Sequence, residues 1–218
     1  MDGTAQSLVV VTGAGGFIGG HLVRHPLARG LRVRGVDCKP PGEWFQLASG
    51  AQNLVRDLTQ RAACDGAAAV YNLAADMGGI VPLREADAYP AEPEDGDGWE
   101  KLFSERMCRH FREDCGLETR IVRYHNVYGP NGTYAGGREK APAAICRKVI
   151  EAKLKDTDEI EIWGDGEQTR SFMFIREVLD WVPGITLEEG LERTYAWIFG
   201  EMTRGVRPGS ELVLYGGL

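Results

Sequence analysis

The chain has 218 residues, of which 43% are hydrophobic and 26% charged, with a net charge of -7. That is ordinary for a globular protein and enough for one sizeable core, or one domain with a small appendage. The acidic balance and the lack of a basic stripe argue against a nucleic-acid partner or an anionic membrane surface, and no apolar run approaches the roughly 20 residues that span a bilayer.

The start, MDGTAQSLVVVTG, lacks a basic segment followed by a long apolar run, so it reads as a cytosolic start and implies a cytoplasmic protein. Residues 7–12, SLVVVT, form a β-branched run that reads as a buried parallel strand. GAGGFIGGHLVR then switches to helical spacing. In this strand–turn–helix, Gly13 permits the tight turn, Gly16 lets the backbone approach a pyrophosphate, and Gly19 lets the helix pack on the strand. Phe17 and Ile18 carry the first helical amides toward the phosphates. Pro26 falls inside this helix, where an interior proline costs about 3 kcal/mol, so the helix is expected to end near Arg24 or to bend there.

A second strand, RVRGVD, ends at Asp37, where an acidic residue binds the adenosine ribose 2′-OH and favours NAD over NADP. A third, NLVRD, ends at Asp57, with Asp57 and Leu58 where the adenine rests. A fourth, AAVYNLAA, ends at Ala75, with Asn72 and Ala74 near the cofactor edge. Residues 80–97 read as a Pro- and acid-rich loop. A helix over 97–115, a strand over 118–124, a helix over 140–153, strands over 159–163 and 171–175 and a helix over 187–203 follow, with a short strand possible at 211–215. The pattern is α/β: a Rossmann-like parallel sheet with helices on both faces. The strand 118–124 is expected beside the fourth strand, completing a sheet of order 3-2-1-4-6 in which the label 5 is skipped.

Several colinear segments resemble the GDP-mannose 3,5-epimerase family of extended short-chain dehydrogenases/reductases. They include VDCKPPGEWFQ, VYNLAADMGG, RIVRYHNVYGPNGTYAGGREKAPAAICRKVIEAK, EIEIWGDGEQTRSFMFI and ITLEEGLERTYAWI. The resemblance implies an NAD-dependent nucleotide-sugar epimerase, an isomerase acting on a GDP-mannose-type substrate. In that chemistry, oxidation of the C4 hydroxyl acidifies the hydrogens at C3 and C5, an acid/base pair inverts them, and the hydride returns. By position, Lys140 is one member of the acid/base pair. Asn126, Glu139 and Ala141 line the sugar pocket, and Lys148, Gln168, Thr169 and Arg170 hold the GDP. The implied domains are a Rossmann-like NAD-binding domain over 1–125, shortened after residue 79, and a substrate-binding loop with a reduced C-terminal capping region over 126–218. The helix 97–115 is the one through which such proteins form homodimers.

Three departures from the family pattern bear on activity. The family's YxxxK pair falls on DGDGWEK, so Lys101 is present and Asp97 stands at the tyrosine position. An aspartate of reference pKa about 3.9, against about 10 for tyrosine, has no proton to return at neutral pH. The segment that would carry a catalytic cysteine before this helix is missing. The five cysteines, Cys38, Cys64, Cys108, Cys115 and Cys146, are odd in number and contain no CxxC, which fits reduced thiols. The capping region beyond SFMFI is shortened. No metal is expected, because the four histidines lack ligand spacing. The expectation is very low turnover, with two alternatives left open: a non-catalytic NAD or GDP-sugar binder, and a hetero-oligomer partner of an intact epimerase.

Overall fold

A computed structural model describes residues 7–57, 63–72, 96–124, 126–167, 169–180 and 184–204. The chain divides into two compact units, Met1–His125 and Asn126–Leu218.

The first unit is built on four parallel strands: β1 (Leu8–Thr12), β2 (Arg32–Asp37), β3 (Gln52–Val55) and β4 (Ala67–Asn72). All five residues of β1 are buried, as a strand covered on both faces requires. Val10, Val11 and Val36 expose no surface, and each such side chain contributes about 1.5–3 kcal/mol. The order β3-β2-β1-β4 places β1 at the centre. The chain order of the strands reverses between β1 and β4, the switch point at whose carboxyl end open sheets of this kind bind ligands. Arg34 of β2 ties the unit together laterally. It donates to Gln52 Oε1 at 2.8 Å on β3 and to the Asp65 carbonyl at 2.9 Å ahead of β4.

Helix α1 (Phe17–Ala28) crosses β1 and β2 and buries Leu22 and Val23. It does not end near Arg24 but runs through Pro26 to Ala28. The proline forgoes its own amide bond, and only two helical residues follow it. Its own carbonyl accepts from Arg29 and Leu31, each at 3.1 Å.

Helix α2 spans Gly96–Cys115. The following segment, 118–124, is not a strand, which corrects the expected fifth position of the sheet. A parallel strand beside β4 needs cover on both faces, yet Val70 and Tyr71 of β4 are 49% and 43% exposed. The segment is instead drawn to α2. Arg123 pairs with Glu105, at 2.7 Å from Nε to Oε1, and Leu117 N donates to the Phe111 carbonyl at 3.3 Å.

The second unit holds a two-stranded parallel sheet, β5 (Asn126–Tyr128) and β6 (Phe172–Phe174), with α3 (Ala141–Leu154), α4 (Ile175–Asp180) and α5 (Leu187–Thr203). Residues 159–163 are irregular rather than a strand. Every one of them but Ile160 is exposed, so the alternation EIEIW has no face to bury. Helices α3 and α5 share a core of Ala143, Cys146, Ile150 and Ile198. Thr186 caps α5 by accepting from Glu189 N at 3.2 Å, the sequence T-x-x-E of a capping box. The tip of Tyr128 meets α5 at Gly190, where an added Cβ would stand 2.0 Å from the phenol oxygen. The residues 211–215 lie outside the described ones.

Candidate functional site

In the first unit the glycine turn lies at the carboxyl end of β1, at this switch point. Gly13 has φ 70°, a conformation costly for any residue with a Cβ. Its carbonyl accepts from Gly16 N at 3.0 Å. A Cβ on Gly19 would lie 2.0 Å from that same carbonyl, so helix and turn touch only because no side chain intervenes. Gly16 caps α1 without a side-chain acceptor, and no acidic residue stands in its first turn. Phe17, Ile18 and Gly19 therefore begin a helix whose positive end is set for an anion.

Asp37, 8% exposed, ends β2 directly beside this turn. Gly15 N donates to its Oδ2 at 2.9 Å and Lys39 N to its Oδ1 at 3.0 Å. The carboxylate is thereby fixed by two amides, with lone pairs left over for ribose hydroxyls. Asn72 ends β4, and its Oδ1 accepts from Thr12 Oγ1 at 2.8 Å, next to the end of β1. Asp57 is exposed two residues past β3. Leu58 and Ala74 lie outside the described residues. This cradle fits a dinucleotide: a Cβ-free turn, an uncapped helix start and an acidic residue at the end of β2.

Trp44 escaped the sequence reading. It is 8% exposed, packs against Gly15 and donates from Nε1 to the Lys39 carbonyl at 2.9 Å. The tryptophan thus holds the loop after Asp37 onto the glycine turn. The signal in the sequence was an aromatic pair, Trp44 and Phe45, in a proline-rich loop. Asp97 is the second residue of α2 and Lys101 lies one turn later.

In the second unit, Asn126 opens β5 and donates to the Ser171 carbonyl at 3.3 Å. That bond brings it beside Thr169 and Arg170, which precede β6; Gln168 lies outside the described residues. Arg170 is exposed, and its Nη1 donates to the Thr169 carbonyl at 2.8 Å. Lys140 is exposed at the N-cap of α3, its carbonyl accepting from Ala144 N at 3.0 Å, and Ala141 begins the helix. Lys148 reaches away from the helix start, to the Glu161 carbonyl at 2.5 Å and over the Trp163 ring at 5.5 Å.

Glu139 is paired with Arg147 at 3.2 Å and its side chain is 9% exposed. Burial pushes its carboxyl up, but the Glu139 and Gly137 amides and the Arg147 guanidinium outweigh this and hold it below the usual carboxylate range. The five cysteines are free. Cys146, between α3 and α5, has its thiol pushed up by burial, the opposite of an activated thiolate. Among the described residues no group of histidine, cysteine or carboxylate side chains is placed to hold a metal, and no helix is long and apolar enough to cross a membrane.

The sequence model of the NAD dependent epimerase/dehydratase family matches residues 9–92 and 80–183. GDP-mannose 3,5-epimerase 1 of Oryza sativa subsp. japonica is 36% identical over 82% of this chain and 61% of its own length. The chain thus spans about three fifths of that relative. GDP-mannose 3,5-epimerase of Arabidopsis thaliana is 30% identical over 95% of this chain and 86% of its own length. That match runs over 329 residues, well beyond the 218 of this chain, so the shortfall falls as gaps inside it. Among solved structures, UDP-glucose 4-epimerase of Thermotoga maritima superimposes with TM-score 0.66 at 19% identity, over 90% of this chain and 82% of that one.

Proposed function

Because the chain belongs to the NAD dependent epimerase/dehydratase family, we propose that it binds NAD at the glycine turn and a GDP-mannose-type nucleotide sugar through residues 126–170, with very low epimerase turnover of its own. The observation that carries the cofactor half is Asp37, clamped by the Gly15 and Lys39 amides beside a helix start that no side chain caps. Gly13, Gly16, Phe17, Ile18 and Gly19 cradle the pyrophosphate, and Asp37 takes the adenosine ribose. Asn72 stands at the cofactor edge, and Asp57 near the adenine. When bound, NAD supplies a reversible hydride acceptor for the C4 hydroxyl of the sugar.

The substrate half rests on similarity to the two plant enzymes and on the run of matching positions. Lys140 exchanges a proton at C3 or C5, Asn126 and Ala141 border the sugar, and Lys148, Gln168, Thr169 and Arg170 hold the diphosphate and base. Arginine suits that task because its planar fork meets two phosphate oxygens at once. Lys101 is retained for the nicotinamide ribose.

Low turnover follows from Asp97. An aspartate, of reference pKa about 3.9, is ionised at neutral pH and has no proton to return to the C4 oxygen. The missing cysteine segment removes the second acid/base group. The same two facts favour a second reading, a non-catalytic binder of NAD or GDP-sugar. A homodimer through α2 belongs to either reading.

Purified protein with NAD and GDP-mannose in deuterated water separates them. Slow incorporation of deuterium at C3 or C5, abolished by Lys140→Met, is the expected result. Complete absence of exchange with both ligands bound would leave the non-catalytic reading standing. Exchange as fast as in an intact epimerase would overturn the argument from Asp97.

A further inference from the structure

Arg147 has no counterpart among the residues assigned to cofactor or substrate, yet it is the most heavily engaged cation described in the second unit. It lies on α3, with its side chain 20% exposed. Nε donates to the Tyr134 carbonyl at 2.8 Å, Nη2 to Glu139 Oε1 at 3.2 Å and Nη1 to Glu151 Oε1 at 2.7 Å. Glu151 stands one turn further along α3 and steadies the guanidinium from its own helix. The other two partners belong to the loop between β5 and α3, at its middle and at its end. One rigid fork therefore clips two points of that loop to the helix.

The loop needs such a clip. No regular element occurs between Tyr128 and Ala141. Gly129, Asn131, Gly136 and Gly137 all take positive φ, from 64° to 144°, and glycines leave the free loop many alternatives. The Tyr134 ring is pinned from another side by Trp197 of α5, with centroids 5.5 Å apart and planes at 85°. Glu139 is the last loop residue before Lys140, and Lys140 is locked as the N-cap of α3. Glu139 Oε2 is buried with no hydrogen-bond partner.

The geometry points to Arg147 as a positioning residue: through Tyr134 and Glu139 it sets the loop that delivers Lys140 to the sugar. The inference rests on the reading of Lys140 as a substrate contact. Lysine cannot replace the arginine fully, because an ammonium is a point charge that reaches Glu139 or the carbonyl but does not span both.

The test compares the full chain with Arg147→Met and Arg147→Lys, reading amide hydrogen exchange across 132–140 and GDP-mannose affinity by calorimetry. Arg147→Met is expected to speed exchange in the loop and weaken GDP-mannose, each by about tenfold, the weight of one charge-assisted hydrogen bond. Exchange in the α3 and α5 core and NAD affinity should stay as they are. Arg147→Lys should recover part of both losses. Loop exchange that is unchanged in Arg147→Met, or that rises in step with α3 and α5, overturns the proposal, the latter marking a merely structural residue. If the unaltered chain takes up no GDP-mannose, the reading of Lys140 fails by itself, and the exchange comparison alone then decides whether the clip holds the loop.

Discussion

Glu177 accepts hydrogen bonds from three backbone amides, Gly184 at 3.0 Å and Ile185 and Phe174 at 3.2 Å. Burial pushes its carboxyl up, but the Gly184, Ile185 and Phe174 amides outweigh this and hold it below its ordinary value of 4.5. A carboxyl lowered in the folded state contributes stability that is present above its unfolded pKa and lost as pH falls through the folded one. The unaltered chain should therefore lose stability below about pH 4.5, and Glu177→Gln should flatten that acid limb while lowering stability at neutral pH; thermal melts across pH 3–7 read both. Asp37 makes a parallel case on the cofactor side. Asn at this position keeps one acceptor but turns an NH2 group toward an amide, so Asp37→Asn should weaken NAD by at least about tenfold in calorimetry. The Gly15 half of the Asp37 clamp is not visible along the chain, since Gly15 lies 22 residues from Asp37.

Helices α3 and α5 close the core of the second unit, and Ile198 of α5 exposes nothing there. Ile198→Ala leaves a cavity between the helices and should cost about 2–5 kcal/mol, measured by urea unfolding. Gly190→Ala on the same helix acts by the opposite route: the new methyl collides with the Tyr128 phenol, so a loss of about 1–3 kcal/mol is expected from overpacking. A smaller loss in the double variant Gly190→Ala, Tyr128→Phe than in Gly190→Ala would confirm the contact. At this scale the helices were the most legible elements. Helical spacing and caps such as Thr186 are local, and α3 and α5 fall within a residue of their expected bounds. The short strands were less legible. The apolar segments 118–124 and 159–163 look like strands, but a strand exists only where a neighbour offers hydrogen bonds and cover, and neither segment has one.

The two units each have their own sheet, the first of four strands and the second of two. If the glycine turn takes NAD and residues 126–170 take the nucleotide sugar, each ligand should protect a different part of the chain. At a hundredfold excess over its Kd, a ligand adds about 2.7 kcal/mol to the unit that holds it. Hydrogen exchange should thus show NAD slowing amides around β1, β2 and α1, and GDP-mannose slowing those of 126–170. GDP-mannose that slows no amide of 126–170 would contradict this assignment.

What the chain determined by itself is the glycine turn with its strand-end acid, and the family. A tight turn, a helix packed on a strand and an acid at the next strand's end are demands of local backbone geometry, met at Gly13, Gly19 and Asp37, and local demands leave local spacing. What only the tertiary structure decided is who holds those parts still: Trp44 on Gly15, Arg147 on the Lys140 loop, Glu177 on three amides and Tyr128 on Gly190. Trp44 and Gly15, Arg147 and Tyr134, and Tyr128 and Gly190 are distant in sequence, while Glu177 gathers amides three to eight residues away. Their pairing depends on how elements pack, and packing answers to volume and hydrogen-bond direction rather than to any spacing along the chain.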